Sequence, residues 1–158
     1  MMNLSFETQE RLKSLAFERT IPFCYSCYQE APSGRCSGCL SDDLMRLLPG
    51  DGCEYGVDWV IKSLVKENLT PINMNERFEE SVRESYPETT QVGWMELDTV
   101  QIMKELDPIG WDVAQTDWQS NEESDGQITT FDNSSTYYRS DEVEEYLDRE
   151  DIRRAEAS

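Results

Sequence analysis

Four closely spaced cysteines constrain the fold of this chain more than any other feature of its sequence. They follow the spacing Cys24-x2-Cys27-x8-Cys36-x2-Cys39. A gap of two residues lets both sulfurs of a pair face one point from a tight turn, and the eight-residue loop lets the second pair complete a tetrahedron. The spacing therefore predicts that Cys24, Cys27, Cys36 and Cys39 are the ligands of a single metal ion.

The ligand set indicates which ion such a site holds. Thiolates are soft ligands, and the chain contains no histidine, so the set favours zinc, with a single iron as the competitor. The pattern over residues 24–39 resembles a zinc ribbon or rubredoxin-like knuckle, with Gly34 and Gly38 as permissive backbone positions. The resemblance implies one structural Zn2+ and no particular activity, because four thiolates leave no open position for water or substrate.

Redox chemistry and disulfide bonding are the alternatives for these cysteines. Neither pair follows a predicted strand and begins a helix, as redox pairs do in thioredoxin-like folds. Residues 1–7 lack the features of a secretory signal, and no stretch of the sequence is apolar enough for a membrane span. We therefore expect a cytoplasmic protein, in a reducing compartment that disfavours disulfides. Cys53 is left over and is interpreted as a small apolar residue.

Hydrophobic periodicity predicts helices in the first half of the chain. The clearest pattern covers 57–69, where apolar residues recur at i, i+3, i+4, i+7 and i+8. Weaker stripes predict helices over 4–19 and 75–86. A brief helix is also predicted over 42–48, ended by a Pro-Gly pair.

The second half predicts two helices, a hairpin and a further helix. Asp98 and Asp107 are suited to cap the first two helices. Residues 128–131 and 136–139 are β-branched and aromatic, and the polar turn between them favours a hairpin. A last helix should begin at Ser140 or the following residue. This order resembles that of winged helical modules, which bind DNA through a basic helix, yet residues 108–118 contain no Lys or Arg.

These elements together predict an α+β protein in three parts. Residues 1–71 form a helical region with the embedded cysteine knuckle, 72–90 an acidic helix and connector, and 91–155 an acidic α+β region with the winged-helix order. Between the elements, we expect 92–95 to be extended and 119–126 to be a polar loop.

Negative charge is concentrated in the C-terminal part of the chain. The net charge is −19, with 7 basic and 10 acidic residues over 1–71 and 7 basic and 23 acidic residues over 72–158. Such a surface repels phosphate backbones, so we do not expect duplex nucleic acid as a ligand. It favours either simple solubility or a protein partner with a basic surface.

The sequence favours a binding protein over an enzyme. Without histidine, nucleophile–histidine pairs and histidine-based metalloprotease motifs are absent, and neither phosphate-binding nor dinucleotide-binding glycine motifs occur. We expect a non-enzymatic, zinc-stabilised protein–protein interaction module or adaptor. One alternative is an inhibitor that imitates nucleic acid and binds a basic nucleic-acid-binding protein. The other is single-stranded nucleic-acid binding by the knuckle, through Arg19, Arg35 and Arg46 beside Phe23, Tyr25 and Tyr28.

Overall fold

The computed structural model describes residues 3–132 and 136–157. These residues form an α+β protein, as predicted. The helices are α1 (Phe6–Arg19), α2 (Asp58–Asn68), α3 (Met74–Ser85), α4 (Thr99–Leu106), α5 (Pro108–Ser124) and α6 (Ser140–Ala157). The strands are β1 (Ile21–Cys24), β2 (Gln29–Glu30), β3 (Met45–Leu48), β4 (Gly52–Glu54), β5 (Thr89–Val92), β6 (Met95–Asp98), β7 (Ile128–Thr130) and β8 (Tyr137–Arg139).

The principal core lies between α1, α2 and α6. The predicted stripe over 57–69 is confirmed, because its residues form one buried face of α2. Helix α6 brings the C-terminal end of the chain against α1, so both ends of the sequence share this core. The division into 1–71, 72–90 and 91–155 stays a prediction. The buried cluster comprises Leu4, Leu12, Leu15, Ala16, Val57, Val60, Ile61, Leu64, Val65, Leu69, Tyr138, Val143, Tyr146 and Leu147.

Ion pairs join α1 to α6 at the edge of this core. Arg11 donates to Asp148 at 2.9 Å and to Asp151 at 2.7 Å. Arg19 pairs with Glu150, whose side chain is only 4% exposed. Charged groups on these two helices therefore fix their relative position alongside the apolar contacts.

A four-stranded antiparallel sheet in the order β2-β1-β3-β4 follows α1. The helix predicted over 42–48 is wrong, because residues 45–48 form β3 and pair with β1 and β4. A helix this short forms at most one or two turns, which do not offset the free-energy cost of nucleating it. Strand pairing is therefore the more stable arrangement for these residues. Arg46 fixes β3 to the end of α1, donating to the Phe17 carbonyl at 2.8 Å and to the Thr20 hydroxyl at 2.9 Å.

Residues 74–124 form what we call the acidic helical unit, which consists of α3, α4, α5 and the β5–β6 hairpin. All residues of this unit are described, and the buried ones are Phe78, Thr99 and Val100. The Phe78 ring lies 4.8 Å from the Trp111 ring and 5.6 Å from the Trp118 ring. Asp98 and Asp107 cap α4 and α5 as predicted, each accepting a backbone N–H. The three helices thus pack around a small aromatic centre.

The stretch predicted to be extended over 92–95 is instead centred on a tight turn. Val92 and Met95 are paired ends of β5 and β6, and Gly93 and Trp94 form the two-residue turn between them. Gly93 has a φ of +64°, which a two-residue hairpin turn requires at its first position. Residues 89–98 are therefore a hairpin that the sequence did not predict.

The prediction of a polar loop over 119–126 is wrong for residues 119–124. Helix α5 continues to Ser124, because polar side chains are tolerated on solvent-exposed helical turns. Gly126, just after the end of the helix, is in a left-handed conformation with a φ of +76°. The backbone N–H groups of Gly126 and Gln127 donate to the carbonyls of Glu123 and Glu122, a Schellman arrangement that satisfies the last turn.

The second predicted hairpin is confirmed. Strands β7 and β8 pair antiparallel, with Ile128 opposite Arg139 and Thr130 opposite Tyr137. Of the predicted turn, Asn133, Ser134 and Ser135 lie outside the described residues. Helix α6 begins directly after β8, as the sequence predicts.

Candidate metal centre

The start of the sheet brings the four predicted ligands together. Cys24 is the last residue of β1, Cys27 lies in the turn that leads to β2, and Cys36 and Cys39 lie in the loop before β3. All four Sγ atoms lie within 4.8 Å of one another. The sulfurs of Cys24 and Cys39, which belong to different pairs, are 3.7 Å apart. The two pairs therefore converge on one point, as the spacing predicts.

The two pairs are followed by matching backbone turns. Tyr28 comes directly after the first pair and Leu40 directly after the second. Both adopt left-handed conformations, with φ values of +53° and +61°. This conformation costs a residue with a Cβ about 1–2 kcal/mol, and glycine is the usual occupant. Two such residues at equivalent places indicate that each pair needs this turn to direct its sulfurs inward.

Hydrogen bonds directed at the sulfurs give the site the character of a thiolate cluster. The Cys27 backbone N–H donates to the Cys24 Sγ at 3.5 Å, and the Gly38 N–H donates to the Cys36 Sγ at 3.3 Å. The Gln29 side-chain amide donates to the Cys36 Sγ at 3.2 Å. Donors of this kind orient metal ligands and stabilise their negative charge.

Gly38 is required by the close packing around the sulfurs. A Cβ at this position would lie 3.1 Å from the Gln29 amide nitrogen and 3.2 Å from the Cys27 Sγ. Both distances are shorter than ordinary van der Waals contacts. Glycine at position 38, between Cys36 and Cys39, therefore leaves room for the Cys27 sulfur.

The pKa values of the thiols differ strongly around the cluster. The backbone N–H of Cys39 and the Gln29 amide lower the pKa of Cys36 to about 6. Hydrogen bonds with the thiol groups of Cys36 and Cys39 raise the pKa of Cys27 to about 12. Crowded sulfurs share protons in this way because several negative charges cannot accumulate at one point without a cation.

A metal ion fits the geometry and the ligand chemistry of this cluster. Four sulfurs bound at about 2.3 Å in a tetrahedron lie about 3.8 Å from one another, close to the 3.7 Å between Cys24 and Cys39. Cys24 and Cys36 are buried, and Cys27 and Cys39 are more accessible. Four cysteines around one point could therefore hold one ion.

Cys53 takes no part in the cluster. It lies in β4 opposite Leu47, on the far side of the sheet order from β2. Burial raises the pKa of its thiol, so the reactive thiolate is disfavoured. The interpretation of Cys53 as a small apolar packing residue is consistent with its partly buried position.

All three arginines near the knuckle make contacts within the protein. Arg19 pairs with Glu150, and Arg46 donates to the Phe17 carbonyl and lies over the Phe17 ring at 4.9 Å. Arg35 donates to the Leu40 carbonyl at 3.3 Å. The guanidinium groups that would contact phosphates are therefore engaged in intramolecular contacts.

The aromatic residues of the knuckle contact one another. Tyr28 packs edge-on against Phe23 at 5.3 Å and against Tyr25 at 6.2 Å between ring centroids. Phe23 is buried, whereas both tyrosines are exposed. Phe23 therefore packs beside the cysteine cluster, and the tyrosine rings lie on the surface next to it.

Comparisons of the chain with protein-family models, with curated proteins and with solved structures find no match. Among the helices of the described residues, none is long and apolar enough to cross a bilayer. The interpretation of the cysteine cluster therefore rests on its geometry and its ligand chemistry.

Sequence reasoning missed two features that bear on function. The Gln29 contact with Cys36 depends on the β1–β2 pairing and has no local sequence signal. The other feature is a groove of about 440 Å³ in the acidic helical unit. Trp111 and Ala114 fall on one helical face with Trp118, but the pairing of this face with α3 depends on tertiary packing and has no local sequence signal. The apolar residues that line this α3–α5 groove are Phe78, Val82, Tyr86, Met103, Trp111 and Ala114.

Proposed function

We propose that this protein is a non-enzymatic, zinc-stabilised protein–protein interaction module. In this proposal the zinc fixes the fold of the N-terminal sheet, and the acidic helical unit binds a protein partner with a basic surface. The cysteine cluster supports the first half of the proposal. Exposed apolar residues on the acidic helical unit support the second.

Zinc is the ion that suits the cluster best. Zn2+ has no geometric preference of its own and accepts four thiolates in a tetrahedron. With all four positions taken by the protein, the ion has no place for substrate, so its role is to stabilise the fold. A single iron could use the same ligands. Elemental analysis of the purified protein separates the two ions.

The observation that carries the binding role is the exposure of α5. This helix has 17 residues, all of them described, and none is buried. Isolated helices of this length are marginal in water and are normally stabilised by burying an apolar face. Helix α5 nevertheless presents Ile109 at 78% exposure and an exposed Val113 one turn later. A partner that covers this face would complete the packing that the chain leaves open.

Neighbouring elements extend the same exposed apolar character. Leu106, at the end of α4, is 80% exposed, and Trp94, at the tip of the β5–β6 hairpin, is 93% exposed. Aromatic residues are enriched at interfaces, so Trp94 is a candidate contact residue. The acidic helical unit has 3 basic and 13 acidic residues, which favours a basic partner.

The two alternative functions have weaker support. Imitation of nucleic acid needs rows of accessible carboxylates, yet on α6 Asp148 and Asp151 pair with Arg11. Single-stranded nucleic-acid binding needs accessible arginines, and those near the knuckle make intramolecular contacts. Both alternatives therefore rank below protein binding.

A pull-down from the native host tests the proposed function. We expect a protein partner in stoichiometric amount, in a complex that survives moderate salt because apolar contacts contribute to it. The double variant Ile109→Gln/Val113→Gln should lose the partner, whereas Ile152→Gln, an exposed isoleucine on α6, should retain it. Recovery of no partner would contradict the proposal. A partner released by modest salt and by competing DNA would support the nucleic-acid imitator instead.

A further inference from the structure

The β5–β6 hairpin leaves one of its two strands open along its outer edge. Within the described residues, β5 pairs only with β6, and all four residues of β5 are exposed. Strand β6 leads directly into α4, since its last residue, Asp98, caps that helix. Hairpins of two strands are marginally stable in water, and a third strand on the open edge would stabilise this one.

The register of the hairpin shows which backbone groups of β5 are free to bind a further strand. Opposite residues of an antiparallel pair exchange hydrogen bonds at every second position. The Thr99 N–H donates to the Glu88 carbonyl at 3.0 Å, one position before the first pair of the two strands. The second and fourth residues of β5 therefore bond to β6, whereas the N–H and C=O groups of Thr89 and Gln91 point away from it.

These outward backbone groups of Thr89 and Gln91, which we call the β5 edge, lack the devices that keep other chains away. Natural edge strands carry charged side chains, proline or a bulge that prevents further pairing. The sequence of β5 is Thr-Thr-Gln-Val, without charge or proline, and its pairing with β6 is continuous. The β5 edge is therefore open to an added strand.

One face of the hairpin is apolar and exposed. Side chains alternate between the two faces of a strand, so Val92, Met95 and Leu97 lie on the same face. Their exposures are 50%, 45% and 36%. A strand added to the β5 edge would place every second side chain beside Val92 on this face, so apolar residues are favoured at those positions.

Negative charge without a basic partner lies on the opposite face and at the start of β5. Gln91 is opposite Glu96 in the hairpin, and Glu88 precedes β5. Among the described residues, the basic side chains of the unit pair instead with Glu79, Glu80 and Asp98. An added strand would lie two strand spacings, about 10 Å, from the backbone of Glu96. An extended lysine or arginine spans this distance together with the glutamate, so basic residues are favoured on this face.

A second copy of this chain is the other source of an open strand, and its charge disfavours it. Edge-to-edge pairing of two β5 strands would bring together two acidic helical units. Each unit has 3 basic and 13 acidic residues, a net charge of −10, and like charge of this size opposes association. A different protein that supplies positive charge is therefore the favoured source of the strand.

We infer that the β5 edge binds an extended segment of a partner protein, which adds to the hairpin as a third strand. The segment alternates apolar residues, which lie beside Val92, with lysine or arginine on the face of Glu96. This inference rests on the proposed function and names the element of the basic partner that the acidic helical unit binds. It uses the hairpin rather than Ile109 and Val113 of α5, so the two contacts can be tested separately.

A synthetic peptide tests the inference without knowledge of the natural partner. The probe is a fluorescein-labelled peptide in which lysine and valine alternate over about six residues, enough to span β5. One control has the same composition with the lysines and valines in separate blocks, and the other alternates glutamate with valine. Fluorescence anisotropy with the full chain should give saturable one-to-one binding of the alternating lysine–valine peptide only.

Hydrogen exchange of individual amides, measured by NMR on the unaltered chain, locates the added strand. The peptide should slow the exchange of the Thr89 and Gln91 amides, because these N–H groups gain acceptors from it. The amides of Thr90 and Val92 already bond to β6 and should change less. An equal change at all four amides, or no change at Gln91, would show that no strand adds to this edge.

Substitutions at Gln91 test the backbone contact directly. Gln91→Pro removes the outward N–H and leaves the hydrogen bonds between β5 and β6 intact, because proline is tolerated on a free edge. It should weaken binding of the lysine–valine peptide by about tenfold or more. Gln91→Thr keeps the N–H and the strand preference, so this matched control should bind within about twofold of the original chain. Slow exchange of the Thr90 amide establishes that each variant retains its hairpin.

Several outcomes would overturn the inference. Equal binding of the block peptide would mean that charge alone attracts the probe, and unaltered binding by Gln91→Pro would place the contact elsewhere. Self-association of the chain that Gln91→Pro abolishes would assign the β5 edge to a second copy. Absence of peptide binding, together with a host partner that still depends on Ile109 and Val113, would remove the added strand and leave the proposed function standing.

Discussion

The principal core and the acidic helical unit are each built mainly from three helices, yet they use their apolar residues differently. The principal core buries 14 residues in one cluster, whereas the acidic helical unit buries Phe78, Thr99 and Val100 within its described residues 74–124. Helix α2 buries a complete stripe, but the longer α5 buries no residue. The comparison shows apolar residues that stabilise the fold in one region and remain available for contact in the other.

In the proposed function the cysteine knuckle, like the principal core, stabilises the fold. Its strands are short, and β2 has only two residues. Strands this short bury little apolar surface, so in the proposed function the metal ion supplies the stability that a larger core would give.

The largest effect is expected from loss of a metal ligand. Cys36→Ser should lower the zinc content well below one ion per chain and expose residues 20–50 to hydrogen exchange. Ligation of structural zinc is worth about 10 kcal/mol or more in small zinc domains, so most of the knuckle's stability should disappear with it. Elemental analysis and hydrogen-exchange mass spectrometry measure the two effects. Cys53→Ser is the control and should keep its zinc; an unchanged zinc content and melting temperature in Cys36→Ser would refute the assignment.

Two identical substitutions compare the regions directly. Leu15 is fully buried in the principal core, and Leu106 in the acidic helical unit is 80% exposed. Leu15→Ala should lower the free energy of unfolding by about 2–5 kcal/mol, because it leaves a cavity. Leu106→Ala should change it by less than about 0.5 kcal/mol. Urea denaturation measures both values, and similar losses in the two variants would abolish the contrast.

The buried carboxylate of Glu150 should have an intermediate effect. It pairs with Arg19 and Arg153, whose side chains are more accessible than its own. Glu150→Gln removes the charge that these arginines neutralise and should lower the free energy of unfolding by about 1–2 kcal/mol, since solvent screens the exposed partners. Glu144→Gln, an exposed position on the same helix, is the control and should have little effect. Equal melting temperatures of the two variants would show that the ion pair of Glu150 does not stabilise the fold.

The smallest effect concerns the left-handed turn after the second cysteine pair. Leu40→Gly should raise the stability of the zinc-loaded protein by about 0.5 kcal/mol, because relief of the unfavourable φ exceeds the added chain entropy of glycine. Leu40→Val should lower it by about 1 kcal/mol, since a β-branched residue tolerates this conformation poorly. Melting temperatures of the pair measure the difference. A valine variant as stable as the glycine variant would show that the left-handed conformation at position 40 is not strained.

The features that could be predicted from the sequence are those with a local signal. The cysteine spacing determines which sulfurs meet, and the stripe over 57–69 predicts α2 because a period of 3.6 residues is visible within a few turns. Strand β3 was not predicted, because its pairing with β1 joins residues more than twenty positions apart and the Pro-Gly turn that leads to β4 was interpreted as the end of a helix. The exposed face of α5 was equally hidden, because the sequence does not reveal which apolar residues remain uncovered.

Native mass spectrometry of the protein purified from its host tests the central claim most directly, because one spectrum reports both the metal and the partner. We predict one zinc ion per chain and a bound basic protein. In the Ile109→Gln/Val113→Gln variant the zinc should remain and the partner should be absent. A chain that carries no zinc would contradict the proposed stabilising role of the knuckle. A variant that keeps its partner would contradict the assignment of binding to the acidic helical unit.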